Sequence, residues 1–247
     1  MIITTDNIQV KFYDTDLRQN MTPFSFFNYM QDIAIRNADL NNIGWKYLRP
    51  RDLFWVLSRI RLNVIKLPKW QWDISVTTHP RGNDALFAFR DFDFTDRDGN
   101  LLAHGDSYWL LLNRNSLRPQ RISEAFKESD CCGIIKEDFP KLNKLIQVGS
   151  PIASKHITVE YTDLDMNQHV NNAVYAKWAA SLFDLDFRMV HDLKSIQINY
   201  LTAAKYGNEL DLTLYYDEEG HIYYLDCIES NSKAKIYNAV MEWSEIK

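Results

Sequence analysis

The chain has 247 residues, 46% of them apolar and 25% charged, the balance of a packed globular protein with room for one large domain or two small ones. A formal net charge of −5 argues against a general affinity for nucleic acid, which usually calls for a basic face. No stretch approaches the roughly 18 uninterrupted apolar residues of a membrane span, so neither nucleic acid nor a membrane is an expected partner.

The N-terminal run MIITTDNIQVKFYDTD lacks the basic start and apolar core of a secretory signal. The chain carries three cysteines, two of them the adjacent Cys131-Cys132, with no CxxC or Cys/His spacing that suggests a zinc site. Reduced thiols and a cytoplasmic location are the expectation.

A short strand is predicted over residues 8–12, then a polar turn and a helix. Thr22 suits the N-cap and Pro23 the first helical position, where its missing N–H costs nothing. Phe27, Met30, Ala34 and Ala38 recur at spacings of three and four, an apolar helical stripe. Ile60, Leu62 and Val64 then alternate with Arg61 and Asn63, the pattern of a half-buried strand. Asp98-Gly99 predicts a hairpin turn. Arg114, Arg118 and Arg121 open a segment from about Asn115 to Ser150 that reads as a linker, with a short helix expected around Glu124 to Glu128. Their charge suits either a solvated loop or the docking of an acidic partner.

The second half repeats the order. A strand is predicted over residues 157–161, and Asn171 caps a helix with the stripe Val174, Trp178, Leu182. Leu210, Leu212 and Leu214 alternate with polar neighbours, and Glu219-Gly220 predicts a further hairpin turn. Setting Asp16 over Asp165, an offset of 149, also superposes Asp14 on Asp163, Phe26 on Tyr175 and Tyr29 on Trp178. The offset falls to 136 at Ile60/Ile196, Leu62/Ile198, Asn63/Asn199 and Lys69/Lys205, and to 134 at Trp109/Trp243. A duplicated α+β domain is expected: residues 1–114, a linker over 115–150, and residues 151–247.

The chemistry concentrates in Asp163-Leu164-Asp165-Met166-Asn167-Gln168-His169, just before the second helix. Asp can hold or deprotonate a water, His can move protons and Asn can orient a neighbour. A helix N-terminus favours a developing oxyanion. Asn and Asp are also favoured in turns for local reasons, and Asp165 has a counterpart in Asp16. Asn167 and His169 face Arg18 and Asn20 instead, so that pair belongs to one copy only. His79, His104, His156, His191 and His221 have no metal-ligand spacing partner and read as structural or solvated. Cys227 sits in a predicted strand, matched with Asp91, a poor place for a nucleophile.

The segment TDLDMNQHVNNAVYAKW resembles the second-domain motif of the acyl-acyl-carrier-protein thioesterases of plants and bacteria. DLFWVLSRIRLNVIKLPKWQWDISVTTHPRG and GDSYWLLLNRNSLRPQRI resemble that family's N-terminal domain, so the likeness runs from about Val10 to Trp243. The resemblance implies a tandem (double) hotdog, each unit a long helix wrapped by an antiparallel β-sheet. It implies hydrolysis of acyl-carrier-protein thioesters to free fatty acid, with no metal or cofactor, and that Asp165, Asn167 and His169 match the catalytic positions. It implies an N-terminal domain that holds the acyl chain, with Phe27, Met30 and Ala34 lining the acyl tunnel or simply forming core. Where plant members carry a Glu-Cys pair after the second helix, alignment on Asn199-Tyr200 puts Ala203-Ala204, which disfavours a Cys-His-Asn scheme.

Water attack is therefore expected, with Asp165 as base and His169 as proton donor to the thiol, or the reverse. Rival readings are an acyl-CoA thioesterase on the same scaffold and a non-catalytic acyl sensor. A hotdog dehydratase lacks its HFPGxP-like segment here. Monomer and homodimer are both compatible with a tandem chain.

Overall fold

The computed structural model describes residues 2–126 and 141–246. The end of the expected linker helix at Glu128, and Cys131-Cys132, lie outside the described residues. The chain divides into two compact units, one of Met1–Met21 with Asn28–Leu142, the other of Thr22–Phe27 with Asn143–Lys247.

In the first unit, strand β1 (Thr4–Gln9) is followed by a 3-10 turn, helix α1 (Pro23–Leu40, whose residues up to Phe27 group with the other unit), the single turn α2 (Trp45–Leu48), and strands β2 (Leu53–Val64), β3 (Asp73–Asn83), β4 (Phe87–Thr95) and β5 (Leu101–Asn113). The strands lie in the order β1-β3-β4-β5-β2, every pair antiparallel. A short helix, α3 (Ile122–Ala125), follows, beginning two residues before the expected Glu124.

The second unit repeats the plan with β6 (Ser150–Thr158), α4 (Asn172–Ala180), α5 (Leu185–Val190), β7 (His191–Tyr200), β8 (Glu209–Asp217), β9 (Ile222–Glu229) and β10 (Lys235–Glu245). Its order is β6-β8-β9-β10-β7, again antiparallel throughout. Strand for strand this matches the first unit.

The repeat is also written in single hydrogen bonds. Val10 N–H donates to Trp72 O at 2.8 Å, and Val159 N–H to Asn208 O at 2.9 Å. Gln71 N–H reaches Val10 O, and Gly207 N–H reaches Val159 O, both at 3.0 Å. Gln71 and Gly207 both have positive φ, 67° and 76°. The offsets of 149 and 136 read from the sequence are thus the offsets of the folded backbone.

Three local expectations shift. The strands expected to run to Phe12 and Tyr161 end at Gln9 and Thr158. Beyond them, Asp14 accepts the Lys11 N–H at 2.9 Å and Asp163 the Glu160 N–H at 3.0 Å, which curls Phe12–Asp14 and Tyr161–Asp163 into 3-10 turns. At the β8–β9 turn, the left-handed residue is His221 (φ 51°) rather than Gly220.

The two helices differ in length. α1 runs 18 residues, capped by Thr22, whose hydroxyl accepts the Ser25 N–H at 3.2 Å. Phe27, Met30, Ala34 and Ala38 are all buried, each large one stabilising by about 1.5–3 kcal/mol. α4 has only nine residues, with the Asn171 side chain accepting the Ala173 N–H at 2.9 Å. Val174 and Trp178 are buried on it, but Leu182 lies past its end. There Asp184 caps α5 through the Phe187 N–H, and Phe183 joins Phe187, Tyr223 and Trp243 in an aromatic cluster. Among the described residues, no helix is long and apolar enough to cross a membrane.

Candidate active site

The segment from Leu164 to Val170 is a closed loop whose ends face each other in an isolated bridge. Asp165 N–H donates to His169 O at 2.8 Å, and Gln168 N–H donates back to Asp165 O at 3.0 Å. Gln168 adopts φ 63°, a left-handed conformation that closes so tight a turn. Two further bonds fasten the loop: Val170 N–H to Ala204 O at 3.0 Å and Asn171 N–H to Asp163 O at 2.9 Å.

Within this frame the Asp165 carboxylate is held at both oxygens by one neighbour. Asn167 N–H donates to Oδ1 at 2.8 Å and Asn167 Nδ2 to Oδ2 at 3.3 Å. Asp165 and His169 are half-buried, and Asn167 is exposed. The structure therefore joins Asp165 to Asn167 through side chains and to His169 through the backbone. No hydrogen bond links the His169 ring to either partner.

The start of α4 offers fewer donors than the sequence suggested. The N–H groups of Asn171, Ala173 and Val174 already donate to Asp163 O, Asn171 Oδ1 and Asn171 O. These three are not available to an oxyanion, while the dipole of the helix start still favours negative charge there.

Tyr175 was not singled out by sequence. Its hydroxyl accepts the Ala204 N–H at 3.2 Å, and Asp165 is close enough to contribute to the upward shift of the phenol, which burial dominates. Ala204 itself is fully buried in the loop after β7. One residue thus ties the floor of the site together: its carbonyl holds Val170 and its N–H is held by Tyr175. The signal lay in the repeat, where Tyr175 faces Phe26 and only one copy carries the hydroxyl.

The other expected site residues lie elsewhere. Phe27, Met30 and Ala34 are buried on α1, with Met30 packed over Gly105 of β5. Cys227 is fully buried in β9, and burial pushes its thiol well up, out of the range of a ready nucleophile. Arg114 stacks over Phe54 with its guanidinium 5.4 Å from the ring, while Arg118 and Arg121 are exposed. His104 meets Asp93 at 2.7 Å, His156 meets Asp211 and Glu209 at 2.7 Å each, and His191 stacks on Phe187. Among the described residues, no group of three or more His, Cys, Asp or Glu is arranged to hold a metal ion.

Comparison with known proteins agrees with this architecture. Residues 2–129 match the model of the acyl-ACP thioesterase N-terminal domain, and residues 150–245 that of the acyl-ACP thioesterase C-terminal domain. Among curated relatives, the chain is 24% identical over 235 residues to a chloroplastic acyl-[acyl-carrier-protein] hydrolase of Cuphea viscosissima, covering 90% of this chain and 57% of the relative. It is 26% identical over 214 residues to a chloroplastic palmitoyl-acyl carrier protein thioesterase of Gossypium hirsutum, covering 81% of this chain and 51% of the relative. The chain thus spans little more than half the length of these relatives. A crystal structure of an acyl-ACP thioesterase from Bacteroides thetaiotaomicron superposes with a TM-score of 0.85 at 21% identity, covering 98% of each chain, which establishes the double hotdog α+β fold. With both of its units matched in order, the chain belongs to the acyl-ACP thioesterase family.

Proposed function

We propose that the chain hydrolyses fatty acyl thioesters carried on acyl-carrier protein, releasing free fatty acid and holo-acyl-carrier protein. The observation that carries this reading is the Asp165 carboxylate, half-buried and gripped at both oxygens by Asn167 on a locked turn. Family membership supplies the substrate class.

In the proposed reaction a water attacks the thioester carbonyl. Asp165 takes its proton as the C–O bond forms, and His169 gives a proton to the departing thiolate as the C–S bond breaks. Asn167 is the positioning residue for Asp165. Asp165 and His169 can exchange roles, and the half-burial of both suits either assignment. With the N–H groups of Asn171, Ala173 and Val174 already engaged, the helix dipole contributes to stabilising the oxyanion.

The division of labour we propose gives residues 1–114 the acyl chain and residues 151–247 the chemistry, with 115–150 as the connection. Phe27, Met30 and Ala34 would line the acyl site from their buried face of α1. No metal or cofactor takes part, and the protein acts as a monomer or homodimer. We place it in the cytoplasm, while the two plant relatives named above are chloroplastic; cell fractionation tests this.

The test is turnover of Asp165→Asn and His169→Ala on acyl-carrier-protein substrates of graded chain length, run beside the matching acyl-CoA series. Loss of about 100-fold or more in each variant is expected. Near wild-type turnover in both would refute the site. Preference for the CoA series would move the assignment to an acyl-CoA thioesterase.

A further inference from the structure

The loops that carry the two turns expose apolar side chains at equivalent positions. In the first unit Phe12 is 77% exposed, Leu17 81% and Trp70 40%; in the second, Tyr161 is 81%, Met166 86% and Tyr206 69%. Tyr13, 80% exposed, adds a third aromatic to the first set, where the second has Thr162. Single exposed apolar residues need no explanation, but a cluster does.

In the first unit the cluster is real, because its two loops are stitched together. Trp70 N–H donates to Gln19 O at 2.9 Å and Gln71 N–H to Val10 O at 3.0 Å, while Asn20 and Lys69 form a bridge. The Phe12 and Trp70 rings meet edge to face at 6.1 Å. What separates the copies is charge. Lys11 and Lys69 stand exposed beside the first cluster, and Lys66 is exposed with its ammonium 4.9 Å over the Trp72 ring and close enough to Asp96 to lower that carboxyl. Their counterparts in the second unit are Glu160, Thr202 and Lys205. The nearby carboxylate of Asp14 is buried, bound to the Lys11 N–H and the Tyr29 hydroxyl, and that of Asp16 receives the N–H groups of Arg18 and Asn20.

We infer that this face of the first unit is a contact surface for an anionic lipid bilayer. Phe, Tyr and Trp side chains projecting from turns, ringed by lysines, match the chemistry of a headgroup region: aromatic rings enter the interface and cations meet lipid phosphates. What favours the bilayer is the pairing of projecting aromatic rings with exposed lysines; a protein partner is an outcome of the test below. The surface requires no spanning helix, and a chain whose net charge is −5 can carry it, since charges farther away than a Debye length are screened.

The test is co-sedimentation of the full chain, without substrate, with vesicles of pure phosphatidylcholine and vesicles containing about a third phosphatidylglycerol, at low and high salt. Binding to the anionic vesicles only is expected, falling as salt rises, with about fivefold loss for each of Lys11→Gln and Lys66→Gln. Phe12→Ser with Trp70→Ser should weaken it about tenfold or more while leaving the urea unfolding midpoint within about 0.5 M of wild type, which verifies folding. No wild-type binding to anionic vesicles at low salt, or equal binding by these variants, overturns the inference. So does a result in which vesicles are ignored and the same variants raise KM for acyl-carrier protein alone, because the surface then belongs to the carrier. Since the binding assay contains no substrate, its failure is separate from failure of the proposed hydrolysis.

Discussion

The first-copy turn around Asp16 and the second-copy turn around Asp165 share a backbone and differ in chemistry. Asp16 N–H donates to Asn20 O and Gln19 N–H to Asp16 O, both at 2.9 Å, with Gln19 at φ 65°, reproducing the bonds of Asp165, Gln168 and His169 almost atom for atom. In both, an aspartate oxygen accepts the N–H two residues on, from Arg18 at 2.9 Å and from Asn167 at 2.8 Å. Shape therefore depends on one carboxylate and on main-chain groups, leaving the side chains at 18/167 and 20/169 to diverge without unmaking the loop. The same economy appears beneath the turns. Pro68 O and Ala204 O receive Met21 N–H and Val170 N–H at 2.8 and 3.0 Å. Proline has no N–H to satisfy; Ala204 has one, and Tyr175, which stands in the repeat where the first copy has Phe26, accepts it.

The largest effect expected from this comparison is on turnover. Asp165→Asn should lower it about 100-fold or more, whereas Asp16→Asn should leave turnover within about threefold and cost about 1 kcal/mol of stability, since an acceptor oxygen remains. Paired kinetics and urea titrations of the two variants check this. Equal losses of activity would mean that the two turns have not divided shape from chemistry.

Next in size is the pair beneath the site. Tyr175→Phe leaves the buried Ala204 N–H without its acceptor, at about 1–3 kcal/mol. Adding Ala204→Pro rebuilds the first-copy combination of Phe26 and Pro68, and should restore part of that loss in denaturant melts. A double variant no more stable than the single one would show that the two floors are not equivalent.

A size swap separates the helix contacts as well. Met30 packs where Gly105 has no side chain; a Cβ there would stand 2.4 Å from Met30 Cε and 3.3 Å from Arg61 O. The second-copy counterparts are Ala179 and Ala239, both fully buried. Gly105→Ala should cost about 1–2 kcal/mol by overpacking, and Met30→Ala in the same chain should relieve the clash. If Met30 lines the acyl site, the double variant also accepts longer chains, which the graded substrate series reads.

The smallest effect concerns the edge strands. In β1, Asn7 pairs with Ser75 of β3 through a 2.7 Å hydrogen bond between uncharged side chains. At the equivalent place His156 of β6 pairs with Asp211 of β8. Hydrogen bonds to Asp211 first, and to Glu209, raise the imidazole, and His156 in turn lowers Asp211. The raised His156 stabilises below its unfolded value and loses that contribution as pH climbs through its folded one. The lowered Asp211 stabilises above its unfolded value and loses its share as pH falls through its folded one. Between about pH 4 and 6.5 both contributions are present. The difference in melting temperature between wild type and His156→Asn should peak in that window, while Asn7→Ala should give a pH-independent difference. A flat profile for His156→Asn would remove the contrast.

Much of this was legible in the sequence, for a definite reason. Duplication writes its register into spacing, so the offsets of 149, 136 and 134 located the strands, both turns and both helix starts, and set Asn167 and His169 apart as belonging to one copy. Caps are local chemistry, so Thr22 and Asn171 could be read directly. Tertiary structure decided what depends on groups distant along the chain. It engaged the N–H groups of Asn171, Ala173 and Val174 at the start of α4, brought Ala204 under Val170 and Tyr175, and ended α4 before Leu182 so that Phe183 could join an aromatic cluster. A hydrogen bond between residues 29 positions apart leaves no spacing rule in the sequence; it exists only once the loop after β7 has been folded against α4.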